Sequence, residues 1–110
     1  MTPKPVLPRE QALRDVDEIL AYYIAENAAT AAIGFIDALE HTYLHIGRHP
    51  SSGSPRYAIE LNIPGLRVGL LKHYPHLVFY LERHDHIDVW RILHGERDLP
   101  IWMRDPDLLL

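Results

Sequence analysis

Two stretches in the first half of the chain repeat apolar residues at intervals of three and four positions. Residues 11–26 set an apolar stripe against a charged side, and the apolar members are Leu13, Val16, Ile19, Leu20, Tyr23 and Ile24. A second stripe contains Ala32, Phe35, Ile36, Leu39, Tyr43 and Ile46, before Gly47 and His49-Pro50 end the pattern. Because only a few residues separate the two runs, residues 9–49 are predicted to form an antiparallel helical hairpin.

The pattern in the second half changes to short apolar runs that are separated by turn residues. Residues 66–72, 76–83 and 87–94 are predicted strands, and their close spacing favours an antiparallel meander over residues 66–95. The flanking prolines of Lys4–Leu7 would be tolerated at the edge of a sheet, which makes residues 1–8 a candidate edge strand. The predicted fold class is therefore α+β, with an N-terminal helical hairpin packed on a small antiparallel β-sheet.

The rest of the chain is assigned to connections. Residues 50–65 are rich in serine, glycine and proline and are predicted to be a loop, and residues 96–110 form an apolar C-terminal tail. A length of 110 residues is typical of one domain, so residues 1–110 are taken as a single unit. Within the tail, Ile101 and Trp102 either fold back onto the domain or belong to a recognition surface.

Two of the predicted strands are apolar on both faces. Residues 77–81 and 89–93 lack the alternation that is expected of a sheet with one solvated face, and the helical hairpin can cover only one face. Either the loop at 50–64 or the tail covers the second face, or a partner protein does. Contiguous exposed apolar surface usually marks an interaction site, so the pattern favours a partner protein.

Composition and charge exclude several classes of function. The chain has no cysteine, which excludes disulfides and thiol catalysis, and 15 acidic against 11 basic residues give a net charge of −4. Nucleic-acid binders usually carry a basic surplus, so we expect no sequence-specific binding of nucleic acid by this chain alone. No apolar run is long enough for a signal peptide or a membrane span, and we expect a soluble cytoplasmic protein.

His41 and His45 lie one helical turn apart, a spacing at which two imidazoles can bind zinc or nickel. The spacing defines no third ligand, and the polar face of an amphipathic helix is often only solvated. We therefore predict no metal and no cofactor.

An ordered set of short motifs is similar to the ParE-like toxins of the RelE/ParE superfamily, which are also known as plasmid stabilisation proteins. The matching positions are Asp15–Ile19 with Tyr22 or Tyr23, Phe35–Leu39, Pro50 with Gly53, Leu66-Arg67, Phe79-Tyr80 and Arg91–Asp98. Each motif is weak alone, but their order is specific and the resemblance covers about residues 5–100.

The resemblance implies a toxin of a type II toxin–antitoxin system. It implies inhibition of DNA gyrase through protein–protein binding, no enzymatic activity, and neutralisation by a cognate ParD-like antitoxin in a hetero-oligomer. The sister RelE branch instead cleaves mRNA on the ribosome. A degenerate member that only binds its antitoxin is a third interpretation.

An RNA-cleaving site would need a base, an acid and cations near the phosphate, and Arg67, Arg91 and His94 are the candidates. Arg91 and His94 lie three apart on a strand, so they project from opposite faces unless the strand ends or bulges between them. ParE-like members share the segment Arg91-Ile92-Leu93-His94-Gly95, so it does not indicate a nuclease. The net negative charge of the chain also disfavours binding to ribosomal RNA. The gyrase inhibitor is therefore favoured, with no catalytic residue.

Several of the candidate residues also have a structural explanation. Arg91 is expected to pair with Asp88 or Glu82, because a charge within an apolar strand needs a partner, and His94 is expected to hydrogen-bond the following turn. The full set of candidate contacts with the antitoxin or target is Arg67, Val78, Tyr80, Trp90, Arg91, Ile92, His94, Arg97 and Trp102.

Overall fold

A computed structural model of the chain describes residues 2–104, with the backbone alone for residues 102–104. The elements in chain order are β1 (Val6–Pro8), α1 (Glu10–Ala25), α2 (Ala29–Arg48), β2 (Arg67–Leu70), β3 (His76–Glu82), β4 (Ile87–His94) and α3 (Leu99–Arg104). A single 3₁₀ turn, Pro50–Ser52, follows α2.

The helical hairpin is confirmed, with a connection of only three residues between α1 and α2. Asn27 in this connection has a φ of 55°, the left-handed conformation that commonly ends a helix. The N–H of Ala28 donates to the carbonyl of Tyr23 at 2.8 Å, which satisfies one carbonyl of the last turn. The tight turn reverses the chain, so that α2 returns alongside α1.

The antiparallel meander of β2, β3 and β4 is also confirmed, but the sheet as a whole is mixed. Its strand order is β1-β4-β3-β2, and β1 runs parallel to β4. The predicted α+β class and the candidate edge strand within residues 1–8 are confirmed, and the correction is that this strand runs parallel to its neighbour. A parallel pair requires a long crossover, and here both helices and two strands separate β1 from β4 along the chain.

A β-bulge interrupts the pairing of β3 with β4. Phe79 pairs with Arg91 while its neighbour Tyr80 pairs with Val89, so Trp90 is the extra residue. A bulge disturbs the alternation of side chains and re-aims the residues beside it. This irregularity determines where the Arg91 side chain points.

The first hydrophobic core lies between the hairpin and one face of the sheet. Its buried members are Ala12, Phe35, Leu39, Ile46, Leu71, Val78, Tyr80, Ile87, Val89 and Ile92. Helices supply one wall and alternate residues of β3 and β4 supply the other, as expected of an amphipathic hairpin on a sheet.

The second face of the sheet carries its own core, and the chain itself covers it. Leu61, Leu66, Val68, Phe79, Leu81, Trp90 and Leu93 are buried there, with Tyr57, Ala58, Ile63, Leu77 and Leu99 packed against them. The preference for a partner protein over this face was therefore wrong. Because a loop has no apolar periodicity, its apolar residues gave no sign that it folds over the sheet.

The predicted C-terminal tail begins with a short helix, α3. Leu99 at its start packs against the second core, and Ile101 is half exposed. The side chain of Trp102 and residues 105–110 lie outside the described part of the chain, so the predictions for them remain predictions.

Not every residue of the predicted helical stripes is buried. Leu13 and Ile24 of α1 were expected to face the core, yet they are 51% and 64% exposed. Ile33 of α2 is 63% exposed, and Ile36, which was also expected to be buried, is 38% exposed. The apolar stripes are thus wider than the surface with which the helices contact the sheet.

Tyr80 joins the turn after α2 to the sheet. Its hydroxyl donates to the carbonyl of Pro50 at 2.8 Å and accepts from the N–H of Gly53 at 3.0 Å. Gly53 lies so close to this hydroxyl that a Cβ atom there would collide with it.

The Tyr80→Phe variant should lose about 1–3 kcal/mol of unfolding free energy, because it leaves the buried N–H of Gly53 without an acceptor. Urea denaturation followed by circular dichroism measures this loss. Tyr57→Phe is the matched control, since no hydrogen bond from another described residue involves that hydroxyl, and its change should stay within about 0.5 kcal/mol. An equal effect of both substitutions would contradict the anchoring role of Tyr80.

Candidate functional site

A cleft of about 870 Å³ opens between α1 and the end of β4, and we refer to it as the α1–β4 cleft. Its polar lining residues are Gln11, Asp15, Glu18, Tyr22, Tyr23, His76, Arg91, His94, Arg97 and Asp98. Four of the predicted candidates, Arg91, Ile92, His94 and Arg97, therefore line this cleft, and three of them are polar. The bulge at Trp90 turns Arg91 to the face of the sheet on which His94 lies, so alternation along β4 does not keep the two side chains apart.

Asp15 binds Arg91 on the inner wall of the cleft. The guanidinium donates through Nε to Oδ2 of Asp15 at 2.9 Å and through Nη2 to Oδ1 at 3.0 Å. The backbone N–H of Ile92 also donates to Oδ2, at 2.9 Å, and Asp15 is only 5% exposed. Such a bidentate pair is strong and directional, so it fixes α1 against β4.

This geometry corrects the predicted partner of Arg91, which was Asp88 or Glu82. The bulge at Trp90 turns Arg91 toward α1, so its carboxylate comes from a residue 76 positions earlier in the chain. The predicted partners were carboxylates close to Arg91 in the sequence, and Asp15 is not one of them.

His94 holds the turn that follows β4, as was predicted. Its Nδ1 accepts from the backbone N–H groups of Glu96 and Arg97, each at 3.1 Å. The backbone N–H of His94 donates to Oδ2 of Asp98 at 2.8 Å. Because Nδ1 is an acceptor in both bonds, it carries no proton in this arrangement.

Arg97 lies at the exposed rim of the α1–β4 cleft. Its guanidinium carbon lies 5.3 Å from the centre of the Tyr22 ring, within the range of a cation–π contact. The contact links the turn after β4 to α1 and leaves both side chains exposed at the rim. Arg97 is thus the predicted candidate that the fold presents to solvent.

His76 is a residue of the cleft that the sequence analysis missed. It is 3% exposed, its ring lies edge-on to Phe35 with centroids 5.0 Å apart, and the ring of His94 lies 5.6 Å away. Its Nδ1 has no hydrogen-bond partner among the described residues. Burial, followed by the electrostatic effects of His94 and Arg97, lowers the pKa of His76 to about 4 and outweighs the opposite effect of Asp98.

The remaining candidates do not present accessible functional groups in the cleft. Val78, Tyr80 and Ile92 are buried in the first core, which removes their side chains from the set of surface contacts. Arg67 lies on β2 and donates to the carbonyls of Ser51 and Gly53 at 3.2 and 2.7 Å. It therefore supports the turn after α2.

Trp90 belongs to a second charged cluster on the other face of the sheet. Asp88 accepts from Arg9 at 2.9 Å, from Arg83 at 3.0 Å and from Nε1 of Trp90 at 3.1 Å. The guanidinium of Arg9 also lies 4.0 Å from the centre of the Trp90 ring. Burial opposes ionisation of Asp88, but the hydrogen bonds from the two arginines hold the pKa of its carboxyl below the usual value.

The three residues proposed for RNA cleavage do not form one site. Arg91 and His94 line the cleft, whereas Arg67 is not among the residues that line it. Arg91 is bound by Asp15, and Nδ1 of His94 is bound by the turn. The unpartnered Nδ1 of His76 is buried, whereas Arg97 lies at the exposed rim, so these two groups of the cleft are not presented together to one phosphate.

His41 and His45 do not form a recognisable metal site. Nδ1 of His41 donates to the carbonyl of Asp37 at 2.8 Å, and no group of three metal-ligating side chains occurs in residues 2–101. The expected absence of a metal remains a prediction.

Comparison with a solved structure identifies the class of fold. A chain of the chromosomal ParDE TA system from P. aeruginosa superposes with a TM-score of 0.70 and covers 84% of this chain and 97% of its own length. The two sequences are 18% identical, so this likeness concerns the fold. Among curated proteins, no sequence matches this chain significantly.

The sequence itself identifies the protein family. The sequence model of the ParE toxin of the type II toxin-antitoxin system parDE matches residues 6–99. The chain therefore belongs to the ParE toxin family. None of the helices in its described part is both long and apolar enough to cross a bilayer.

Replacement of Asp15 by alanine should destabilise the protein by about 3–5 kcal/mol, because the Arg91 guanidinium loses its carboxylate and the N–H of Ile92 loses its acceptor. Asp15→Asn should cost less, since an amide oxygen still accepts one of these bonds. Chemical denaturation of both variants tests this order. The exposed Asp17→Ala is the control, and a similar cost at all three would contradict a special role for Asp15.

Stability should fall on acidification because His76 binds a proton more readily in the unfolded chain than in the folded one. The pKa is about 6.5 unfolded and about 4 folded, so stability is lost as the pH falls from 6.5 to 4. The contribution is about 3 kcal/mol. Denaturation midpoints of the wild type and of His76→Gln isolate it, because the variant should be less sensitive to pH in this window.

The exposed His41→Gln variant controls for the loss of a histidine, and its denaturation midpoint should depend on pH as that of the wild type does. If the unfolding free energy of the wild type and of His76→Gln changed equally with pH, the pKa of His76 would be the same in the folded and unfolded states, which would contradict the prediction.

Proposed function

We propose that this member of the ParE toxin family acts in the cytoplasm by binding DNA gyrase. A cognate ParD-like antitoxin neutralises it in a toxin–antitoxin complex. The observation that carries the proposal is the Asp15–Arg91 pair, because it commits the central arginine of the cleft to the fold. Binding to a protein target requires a shaped surface, and it does not require that guanidinium to be free.

Two features favour binding to a protein target over cleavage of ribosome-bound mRNA. Phosphorane stabilisation needs cations that converge on one phosphate, whereas Arg67 and Arg91 are engaged at different places. Docking onto ribosomal RNA favours a basic surface, but this chain carries a net charge of −4. The RelE-type mRNA interferase is therefore the less favoured function.

The rim of the α1–β4 cleft is the proposed contact surface for the target. Arg97 and Tyr22 are exposed there, with Ile101 of α3 beside them. Arginine and aromatic side chains are common anchors of protein interfaces. His94 supports this rim through its hydrogen bonds to the backbone of residues 96 and 97.

The purified chain should inhibit supercoiling by DNA gyrase or convert plasmid DNA to the linear form. Arg97→Ala should weaken this inhibition by about tenfold, because the anchor at the rim is lost. Gel electrophoresis of plasmid topoisomers at a series of toxin concentrations measures both effects. Arg56→Ala is the matched control, since Arg56 is exposed and stacks on Tyr57 away from the cleft.

The same protein added to a translating extract should leave mRNA uncut at codon positions. Cleavage in that extract without inhibition of gyrase would replace the proposal with the mRNA interferase. Growth arrest upon induction, with rescue by the neighbouring open reading frame, separates an active toxin from a degenerate one. Inactivity in all three assays would leave only antitoxin binding as a function.

A further inference from the structure

Charge is distributed unevenly along the chain. Residues 41–81 contain four lysine or arginine residues and a single acid, Glu60, so this segment carries a formal charge of +3 with its histidines neutral. Five of the eight histidines also lie in it. The remaining residues hold seven basic and fourteen acidic side chains, which gives a formal charge of −7. The net charge of −4 is thus the sum of a basic segment and an acidic remainder.

The basic segment contains a groove of about 480 Å³ between α2 and β2, which we refer to as the α2–β2 groove. Ile46 of α2 and Val68 of β2 supply buried apolar walls. No aspartate or glutamate is among the described residues that line it. Its polar lining residues are His41, Thr42, His45, Ser52, Ser54 and Lys72.

The main chain keeps this groove open. A Cβ atom at Gly69 would lie 3.1 Å from Cδ1 of Ile46 and 3.5 Å from Cγ2 of Thr42, so any side chain there would enter the space beside α2. Ser54 is fixed on the outer edge of β2 by two backbone hydrogen bonds with Val68, each of 2.9 Å. The groove is therefore formed before a ligand arrives, as is usual for small-molecule sites.

Several donors that line the groove are available to a ligand. Lys72 is exposed and joins no ion pair within the described part of the chain. The Oγ of Ser54 accepts from the N–H of Arg56 at 3.3 Å, which leaves its hydroxyl hydrogen free to donate. Because Nδ1 of His41 donates to the carbonyl of Asp37, Nε2 remains for a ligand and is a donor once the ring is protonated.

We propose that the α2–β2 groove binds a small molecule that carries a phosphate group on an apolar body. Lysine, histidine and hydroxyl donors would contact the phosphate oxygens, and the apolar walls would cover the remainder of the molecule. The groove volume lies within the range of about 300–1,000 Å³ that is typical of such sites. A long polyanion such as DNA would also meet the charge of −7 on the remaining residues, so the charge distribution favours a small ligand.

The inference is independent of the proposed action on gyrase. None of the residues that line the α2–β2 groove also lines the α1–β4 cleft. Inhibition of gyrase without binding of the phosphate ligand would therefore overturn this inference alone, and the converse result would overturn only the proposed function.

The probe is phenyl phosphate, and inorganic phosphate and benzyl alcohol each represent one part of it. Titrations of the full, ¹⁵N-labelled chain are followed by two-dimensional NMR. Phenyl phosphate should shift the backbone signals of His45, Gly69 and Lys72. It should bind at least about tenfold more tightly than either partial ligand, because it alone occupies both the cationic and the apolar parts of the groove.

Two matched pairs of variants locate the site. Lys72→Gln should weaken binding of phenyl phosphate by about threefold or more. Lys4→Gln makes the same change at the only other lysine, which pairs with Glu82 outside the groove, and should have little effect. His45→Gln should weaken binding, whereas the same change at the exposed His84, on the turn between β3 and β4, should not. Circular dichroism confirms that each variant is folded.

Signal shifts confined to residues outside the groove would overturn the proposal. Equal binding of phenyl phosphate and benzyl alcohol, or equal effects within either matched pair, would do so as well. A short DNA duplex and vesicles of phosphatidylglycerol test the other sources of a phosphate group. If either bound more tightly than phenyl phosphate and lost that binding in Lys72→Gln, the small ligand would be the wrong occupant.

Discussion

The carboxylate of Asp15 is the constraint on which the arrangement of this fold depends. A buried carboxylate is expensive to remove from water, and this one is stabilised by a bidentate guanidinium and a backbone N–H. Arg91 and Ile92 at the end of β4 supply these three donors, and Gln11 of α1 adds a longer bond of 3.3 Å. This one carboxylate thus ties α1 to β4. The cleft that forms beside it therefore has an inner wall that cannot widen without breaking the pair.

The β-bulge and the ion pair are two parts of one arrangement. Without the extra residue Trp90, Arg91 would stay on the face of Phe79, inside the second apolar core. With it, Arg91 reaches α1, while Trp90 remains on the other face and donates to Asp88. One inserted residue thus supplies a partner to each of two buried carboxylates on opposite faces of the sheet.

The sequence predicted those features that depend on local periodicity. The hairpin follows from apolar spacings of three and four, and the meander follows from short apolar runs separated by turn residues; both are present. The parallel direction of β1 and the Asp15 partner of Arg91 were missed, and for the cover of the second face a partner protein was preferred to the loop at 50–64. Each of these is a contact between distant parts of the chain, and a residue such as Asp15 looks in sequence like any solvated acid on a helix.

In the candidate site too, the residues that a local motif marks were predicted and those that only long-range packing makes unusual were not. Arg97 and His94 were found because they stand in a motif, and the hydrogen bonds of His94 match the structural role expected of it. His76 had no such signal, since a histidine at the start of a strand is ordinary, and only packing against Phe35 and His94 makes it unusual.

The two helices also divide the surface of the protein into unlike parts. One edge of α1 builds a cleft in which opposite charges are paired, as Asp15 is with Arg91. On the opposite side of α1, Leu13 and Ile24 are exposed, and Asp17 joins no ion pair within the described residues. Burial of the second sheet face by residues 57–66 removes the surface that the strand pattern suggested for a partner. Among the described residues, the large apolar side chains that stay exposed lie mostly on the helices, with Leu7, Ile59 and Leu70 outside them. The helices and the rim of the cleft therefore replace the covered sheet face as candidate surfaces for recognition.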